Sequence, residues 1–172
     1  QRPSYFASMI KGQQPKATVV TCADSRVHAH AIDVDPDGDL FMVREIGNQV
    51  ASGEGSVEYG VRHLHTPLLI IIGHSVCGAV KAAMGDYSNL EPAIKRELDE
   101  VKNSVEANVH NQVAFALGKF EPEIKTGKLA LIGAVYDFRN DYKQGYGRLV
   151  IVNVNGETDV SKFRKSDLFS RN

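Results

Sequence analysis

The feature that most constrains this chain is Leu68-Leu69-Ile70-Ile71-Ile72, an unbroken apolar run bounded by Thr66-Pro67 and Gly73. A strand with one wet face alternates apolar and polar residues, so a strand with no polar position belongs inside a parallel sheet covered on both faces. Parallel neighbours need long crossovers, and the rest of the chain must therefore supply strands separated by helical connections. Ala17-Thr18-Val19-Val20-Thr21, Leu40 to Arg44, Leu129 to Val135 and Gly147 to Val154 have the β-branched, apolar content of such strands. Between them, Glu54 to Leu64 places Val57, Gly60, Val61 and Leu64 at helical spacing, with Ser52 or Ser56 expected to cap the helix or sit in its first turn. Asn89 to Lys119 reads as largely helical, with Ile94, Leu98, Val101, Val105, Val109 and Val113 as its apolar positions.

Shorter signals fill the gaps. Tyr5 to Lys11 reads as the end of a leading helix stopped by Gly12, His28 to Asp33 as a short helix or turn, and Asp35-Pro36-Asp37-Gly38-Asp39 as a turn. The expected fold class is α/β: a single domain, residues 1–172, with a mainly parallel central β-sheet flanked by helices. A chain of 172 residues suits one such domain, and no repeat or linker divides it.

Charge and hydropathy exclude some function classes. The formal net charge is -1 and no run of Lys or Arg occurs, which argues against a nucleic-acid partner. The most apolar stretch, Pro67 to Gly73, is too short for membrane insertion. Gln1-Arg2-Pro3 carries neither an initiator Met nor an apolar leader, so this end reads as trimmed. The two cysteines can be read as one disulfide or as two thiolates in a reducing compartment. A chain of this size needs no covalent staple, and the residues around each cysteine favour thiolates and a cytoplasmic location.

Those surroundings carry the chemistry. Cys22 follows the Ala17 to Thr21 strand directly, and His74 follows the Leu68 to Ile72 strand by one glycine, with Cys77 three residues on. Open α/β sheets place their sites at the C-terminal strand tips, so adjacent strands bring all three residues to one edge. Two thiolates and one imidazole suit a zinc ion with an open position, and a purely structural zinc would want another Cys or His. With only two cysteines present, the fourth ligand is water, Asp24, or a histidine such as His28 or His30. Asp24 and Arg26 alternate along an extended segment, so Arg26 can hold the carboxylate; the plainer reading is a turn closed by a salt bridge.

Thr21-Cys22-Ala23-Asp24-Ser25-Arg26-Val27 and Gly73-His74-Ser75-Val76-Cys77-Gly78 resemble the two zinc-binding segments of the β-class carbonic anhydrases. The stretch Gly38 to Asn48 is similar to the family's connection between them, and Gly133-Ala134-Val135-Tyr136-Asp137 to its last core strand, so the resemblance runs from about Ala17 to Val154. It implies zinc ligands Cys22, His74 and Cys77, a catalytic pair Asp24 and Arg26, and one Zn2+ per subunit. The implied reaction is reversible hydration of carbon dioxide to bicarbonate and a proton by zinc-hydroxide attack. It also implies carbon dioxide and bicarbonate as small-molecule partners and assembly as a homodimer or tetramer.

Several features bear on that expectation. The closed type of family member, in which the aspartate ligates zinc, has a tryptophan just before the first cysteine. This chain has no Trp, which favours an open site, with Arg44 as an anion-facing or interface residue. Tyr136-Asp137 is followed by a polar and aromatic insertion, Phe138 to Gly147, expected as a surface hairpin or extended loop. His28, His30 and His63 are candidate proton shuttles with surface roles as the alternative. Hydrolysis of carbonyl sulfide or carbon disulfide, a noncatalytic zinc-stabilised assembly, and thiol redox chemistry are the competing readings, and the absence of Cys-x-x-Cys weighs against the last.

Overall fold

The computed structural model describes residues 3–7 and 9–163. In chain order they form α1 (Pro3–Ala7), β1 (Ala17–Thr21), a 3-10 turn (Ala29–Ala31), β2 (Leu40–Arg44), α2 (Glu54–Glu58), a π-helical turn (Tyr59–His63) and β3 (Leu68–His74). Then come α3 (Gly78–Ala83), α4 (Pro92–Leu98), α5 (Val105–Lys119), α6 (Glu121–Lys125), β4 (Ala130–Asp137), β5 (Arg148–Val154) and α7 (Val160–Phe163). The leading helix is described as Pro3–Ala7; Ser8, within the predicted Tyr5 to Lys11 span, lies outside the described residues.

The strands make one sheet in the order β2-β1-β3-β4-β5. The first four are parallel and β5 returns antiparallel to β4, giving the mainly parallel α/β fold expected. Thr21 pairs with Ile72, so the β1 and β3 tips lie side by side and deliver Cys22 and His74 to the same edge. No helix among the described residues is long and apolar enough to cross a membrane.

One sheet face is fully packed: Val20, Val43, Leu69, Ile71 and Leu131 meet Val109, Val113 and Ala116 of α5, with Phe120 beyond them. Gly73 and Gly133 admit α5 at close range, since a Cβ on either would lie 2.8 Å from a methyl of Val109. The opposite face differs from the expectation of a strand covered on both sides. Its cluster consists of strand residues plus Ile32, and Leu40, Met42, Leu68, Ile70, Tyr136 and Leu149 are only partly buried there.

Local departures have local causes. The predicted Glu54 to Leu64 helix widens into a π turn after Glu58, with Leu64 N–H donating to Tyr59 O at 2.9 Å. The turn brings Gly60 against β1, where a Cβ would fall 2.1 Å from Thr18 Oγ1. Gly53 is the N-cap of α2 and Ser56 sits in the helix's first turn, one of the two places expected for these serines, while Ser52 Oγ donates to Glu97 Oε2 at 2.8 Å. The Asn89 to Lys119 region is two helices, because Ser104 starts a new one by accepting from Ala107 N–H at 3.1 Å.

Candidate metal centre

Cys22, His74 and Cys77 come together as the only group of three potential metal-binding side chains among the described residues, with one donor atom of each within 4.8 Å of the others. All three are buried. Parallel register brings the first two to one edge, and a turn after β3 brings the third. In that turn Val76 takes a left-handed backbone, φ 59°, which lets His74 and Cys77 face the same point. Cys77 then stands at the N-cap of α3, where the N–H groups of Ala79 and Val80 are directed at its sulfur.

The donor atoms fit a zinc ion. His74 Nδ1 lies 3.1 Å from the carbonyl oxygen of Ser75, which can only accept, so Nδ1 carries the proton and Nε2 presents a lone pair. That Nε2 is buried with no hydrogen-bond partner. The sulfurs are free thiols 4.0 Å apart, and two sulfurs ligating one zinc tetrahedrally at ~2.3 Å would be roughly 3.8 Å apart. The hydrogen bond between them draws Cys22 well below the ordinary thiol range and, helped by burial, pushes Cys77 above it. Two buried sulfurs this close hold two negative charges only with a cation between them. Val80, Val101 and Val105 pack against the sulfurs from behind. Gly47, at φ 71°, brings its N–H to Cys22, and Asn108 of α5 fixes that turn by donating to Gly47 O at 2.7 Å.

Asp24 and Arg26 stand next to this centre. Arg26 Nε donates to Asp24 Oδ1 at 2.9 Å and Nη2 to Oδ2 at 2.6 Å, while the Arg26 backbone N–H also reaches Oδ1 at 2.9 Å. The guanidinium hydrogen bonds hold Asp24 far below the usual carboxylate range, against a smaller opposing effect of burial. The predicted pairing is therefore formed, and Asp24 Oδ2 lies 3.8 Å from His74 Nε2.

The other residues that the sequence singled out make contacts of their own. Arg44 is tied into the scaffold, with Nη2 donating to Asp24 O at 2.8 Å and to Cys22 O at 3.3 Å, so it braces the loop after β1. His63 stacks on Tyr59, and the His28 and His30 rings face one another at 6.0 Å. Three contributors escaped the sequence reading. Ser75 Oγ donates to buried Asp137 at 3.1 Å, Asp137 also accepts from the N–H groups of Arg139 and Tyr142, and Phe138 lies beside His74 with ring centroids 5.5 Å apart. The dipeptide Tyr136-Asp137 marked the place in the sequence, but nothing local shows that Asp137 faces Ser75.

Comparison with known proteins agrees with this geometry. Residues 17–122 match the family described as carbonic anhydrase. Carbonic anhydrase 2 of Mycobacterium tuberculosis strain H37Rv is 34% identical over 158 residues, spanning 79% of this chain and 76% of that protein. Among solved structures, a Coccomyxa β-carbonic anhydrase superposes with a TM-score of 0.74 at 22% identity, covering 96% of this chain and 85% of its own. A β-carbonic anhydrase of Sordaria macrospora, described as tetrameric, gives a TM-score of 0.74 at 22% identity over 89% of this chain and 88% of its own.

Proposed function

We propose, for a chain that belongs to the β-class carbonic anhydrase family and catalyses the reversible, zinc-dependent hydration of carbon dioxide to bicarbonate and a proton, that Cys22, His74 and Cys77 are its zinc ligands and Asp24 and Arg26 its catalytic pair. The observation that carries the assignment is the buried, unpartnered Nε2 of His74 facing two close sulfurs. When bound, zinc supplies the Lewis acidity that brings a water's pKa toward neutrality.

The chain's own residues do the rest. Two thiolates balance the charge of the divalent ion. Arg26 keeps Asp24 ionised, so Asp24 is an acceptor only. Its Oδ2, 3.8 Å from His74 Nε2, can accept the O–H of the attacking water and aim the oxygen's lone pair at the carbon of CO2. Because Arg26 opposes protonation of that carboxylate, Asp24 orients the nucleophile, and the released proton passes to buffer. The open arrangement, with Asp24 on Arg26, is the working state in this reading.

The same reading makes the protein one catalytic domain that works as a homodimer or tetramer in the cytoplasm. The half-covered sheet face of Leu40, Met42, Leu68 and Ile70 supports the assembly, since such a surface gains by burial against a second copy. Free Cys22 and Cys77 suit a reducing compartment.

The test is stopped-flow CO2 hydration by protein of measured zinc content, with sedimentation of the wild type and Ile70→Glu. Zinc-proportional turnover and a dimer that dissociates on substitution are expected. One bound zinc with no hydration at any pH would overturn the activity, and turnover of carbonyl sulfide or carbon disulfide alone would redirect it.

A further inference from the structure

We infer that Phe138, the first residue of the long β4–β5 connection, is a positioning residue that braces Arg26 and through it holds Asp24 in place. The inference rests on the Asp24 and Arg26 roles proposed above. The Arg26 guanidinium has three kinds of support: the Asp24 carboxylate, the carbonyl of Val76, which accepts from Nη2 at 3.1 Å, and the face of the Phe138 ring, 5.2 Å from Arg26 Cζ to the centroid. The first two fix the guanidinium within its plane. Among the contacts of the described residues, the Phe138 ring is the one that lies over the guanidinium, adding cation–π attraction and excluding water from one side.

Phe138 is itself well placed to act as a brace. Its ring meets Tyr136 edge-on, with centroids 4.8 Å apart and planes at 78°, and lies beside the His74 ring at 5.5 Å. Its backbone is anchored to the ligand segment, because Phe138 N–H donates to Ser75 Oγ at 2.7 Å and Ser75 donates in turn to Asp137. Asp137 accepts from the N–H of Tyr142 at 3.0 Å, so the loop that carries Phe138 is pinned at both ends of this span. Half of the Arg26 side chain is exposed, which is why a brace matters. Without one, an exposed guanidinium can swing into water and release a carboxylate that lies 3.8 Å from a ligand nitrogen.

The test uses full-length, zinc-loaded Phe138→Leu and Phe138→Tyr. Leucine keeps an apolar contact and loses the π face; tyrosine keeps the face. Three quantities are read: zinc content, kcat and KM for CO2, and solvent exchange of the Arg26 Nε–H by NMR, its signal assigned through Arg26→Lys. At an exposed site the ring contributes an effect of about two- to fivefold. Phe138→Leu should therefore retain one zinc, speed Arg26 Nε–H exchange by that factor and lower kcat comparably with little change in KM, and Phe138→Tyr should restore both. Unchanged Arg26 exchange in folded Phe138→Leu would overturn the inference, as would a kcat loss that only follows lost zinc. A wild type that binds zinc yet hydrates no CO2 would overturn the functional reading alone, since the exchange measurement still reports the brace.

Discussion

Asp24 Oδ2 lies 3.8 Å from His74 Nε2, yet both oxygens of that carboxylate are taken up by Arg26. A carboxylate so near a proposed zinc ligand has two possible cationic partners, and the fork of Arg26 decides between them by offering two parallel donors in one plane. Lysine offers a point charge on a flexible stem and cannot reproduce that geometry. Arg26→Lys should keep its zinc and lose about 10²-fold in kcat, the scale expected when a positioned group is displaced by roughly an ångström. Stopped-flow hydration beside metal analysis checks this, and activity near wild type would show that the bidentate hold on Asp24 is dispensable.

The ligand set makes a sharper prediction. In the proposed set, Cys22→Ser and Cys77→Ser would each remove one of the two negative charges that balance zinc, and His74→Ala the nitrogen whose tautomer the Ser75 carbonyl sets. Each variant should bind zinc more than ~100-fold more weakly, since disturbing the outer partners of zinc ligands already costs 10- to 100-fold. Hydration should fall in step. Competition with a calibrated chelator measures the affinity, and a variant that retains zinc tightly would remove that residue from the set.

Much of this was legible in the sequence for one physical reason: the apolar run Leu68 to Ile72 points to a strand within a parallel sheet, although one of its faces is only half covered, and strand order then brings the residues after it beside those after β1. That register places Cys22 and His74 at one edge, and the resemblance of their two segments to the β-class family supplies the reading of them as zinc ligands. What could not be read depends on contacts between segments remote in sequence. The π turn at Tyr59–His63 goes with the close approach of Gly60 to Thr18, Ser52 turns to Glu97 instead of capping α2, and Arg44 holds two carbonyls in the loop after β1. Phe138 looked like surface loop because its partners come from segments remote in sequence, Arg26 from the loop after β1 and His74 from the end of β3.

Val76 carries a cost that a substitution can remove. Its φ of 59° is unfavourable for a β-branched residue, by roughly 1–2 kcal/mol, and its side chain is 49% exposed, so little packing offsets that cost. Val76→Gly relieves the strain and keeps the carbonyl that Arg26 uses, although glycine adds about 0.4–1 kcal/mol of freedom to the unfolded chain. The net expectation is a gain of about 0.5–1 kcal/mol, or a rise of about 1–4 °C in Tm for a chain of this size. Differential scanning calorimetry of the zinc-loaded protein decides it, and a lowered Tm would mean that the isopropyl group makes a stabilising contact that outweighs the backbone cost.

Asp137 ties the acid stability of the fold to the loop that carries Phe138. Burial alone would raise its pKa, but the hydrogen bonds from the backbone N–H groups of Tyr142, Asp141 and Arg139 and from Ser75 outweigh burial, and the group sits below the ordinary carboxylate value. A depressed folded-state pKa means that the ionised form stabilises the fold at every pH above the unfolded value of about 3.9, and that this stability is lost as pH falls through the folded value. Asp137→Asn has a single acceptor oxygen for the same donors and leaves at least one N–H unpaired, at about 1–3 kcal/mol. The gap between wild type and variant should therefore stay constant from pH 7 to about pH 4 and narrow below it, because only the wild type has a charge left to lose. Urea unfolding of both proteins at pH 3, 4, 5 and 7 measures the gap, in which the other carboxylates cancel. A gap that stays constant to pH 3 would mean that Asp137 holds the loop by shape alone, and its charge would drop out of the account.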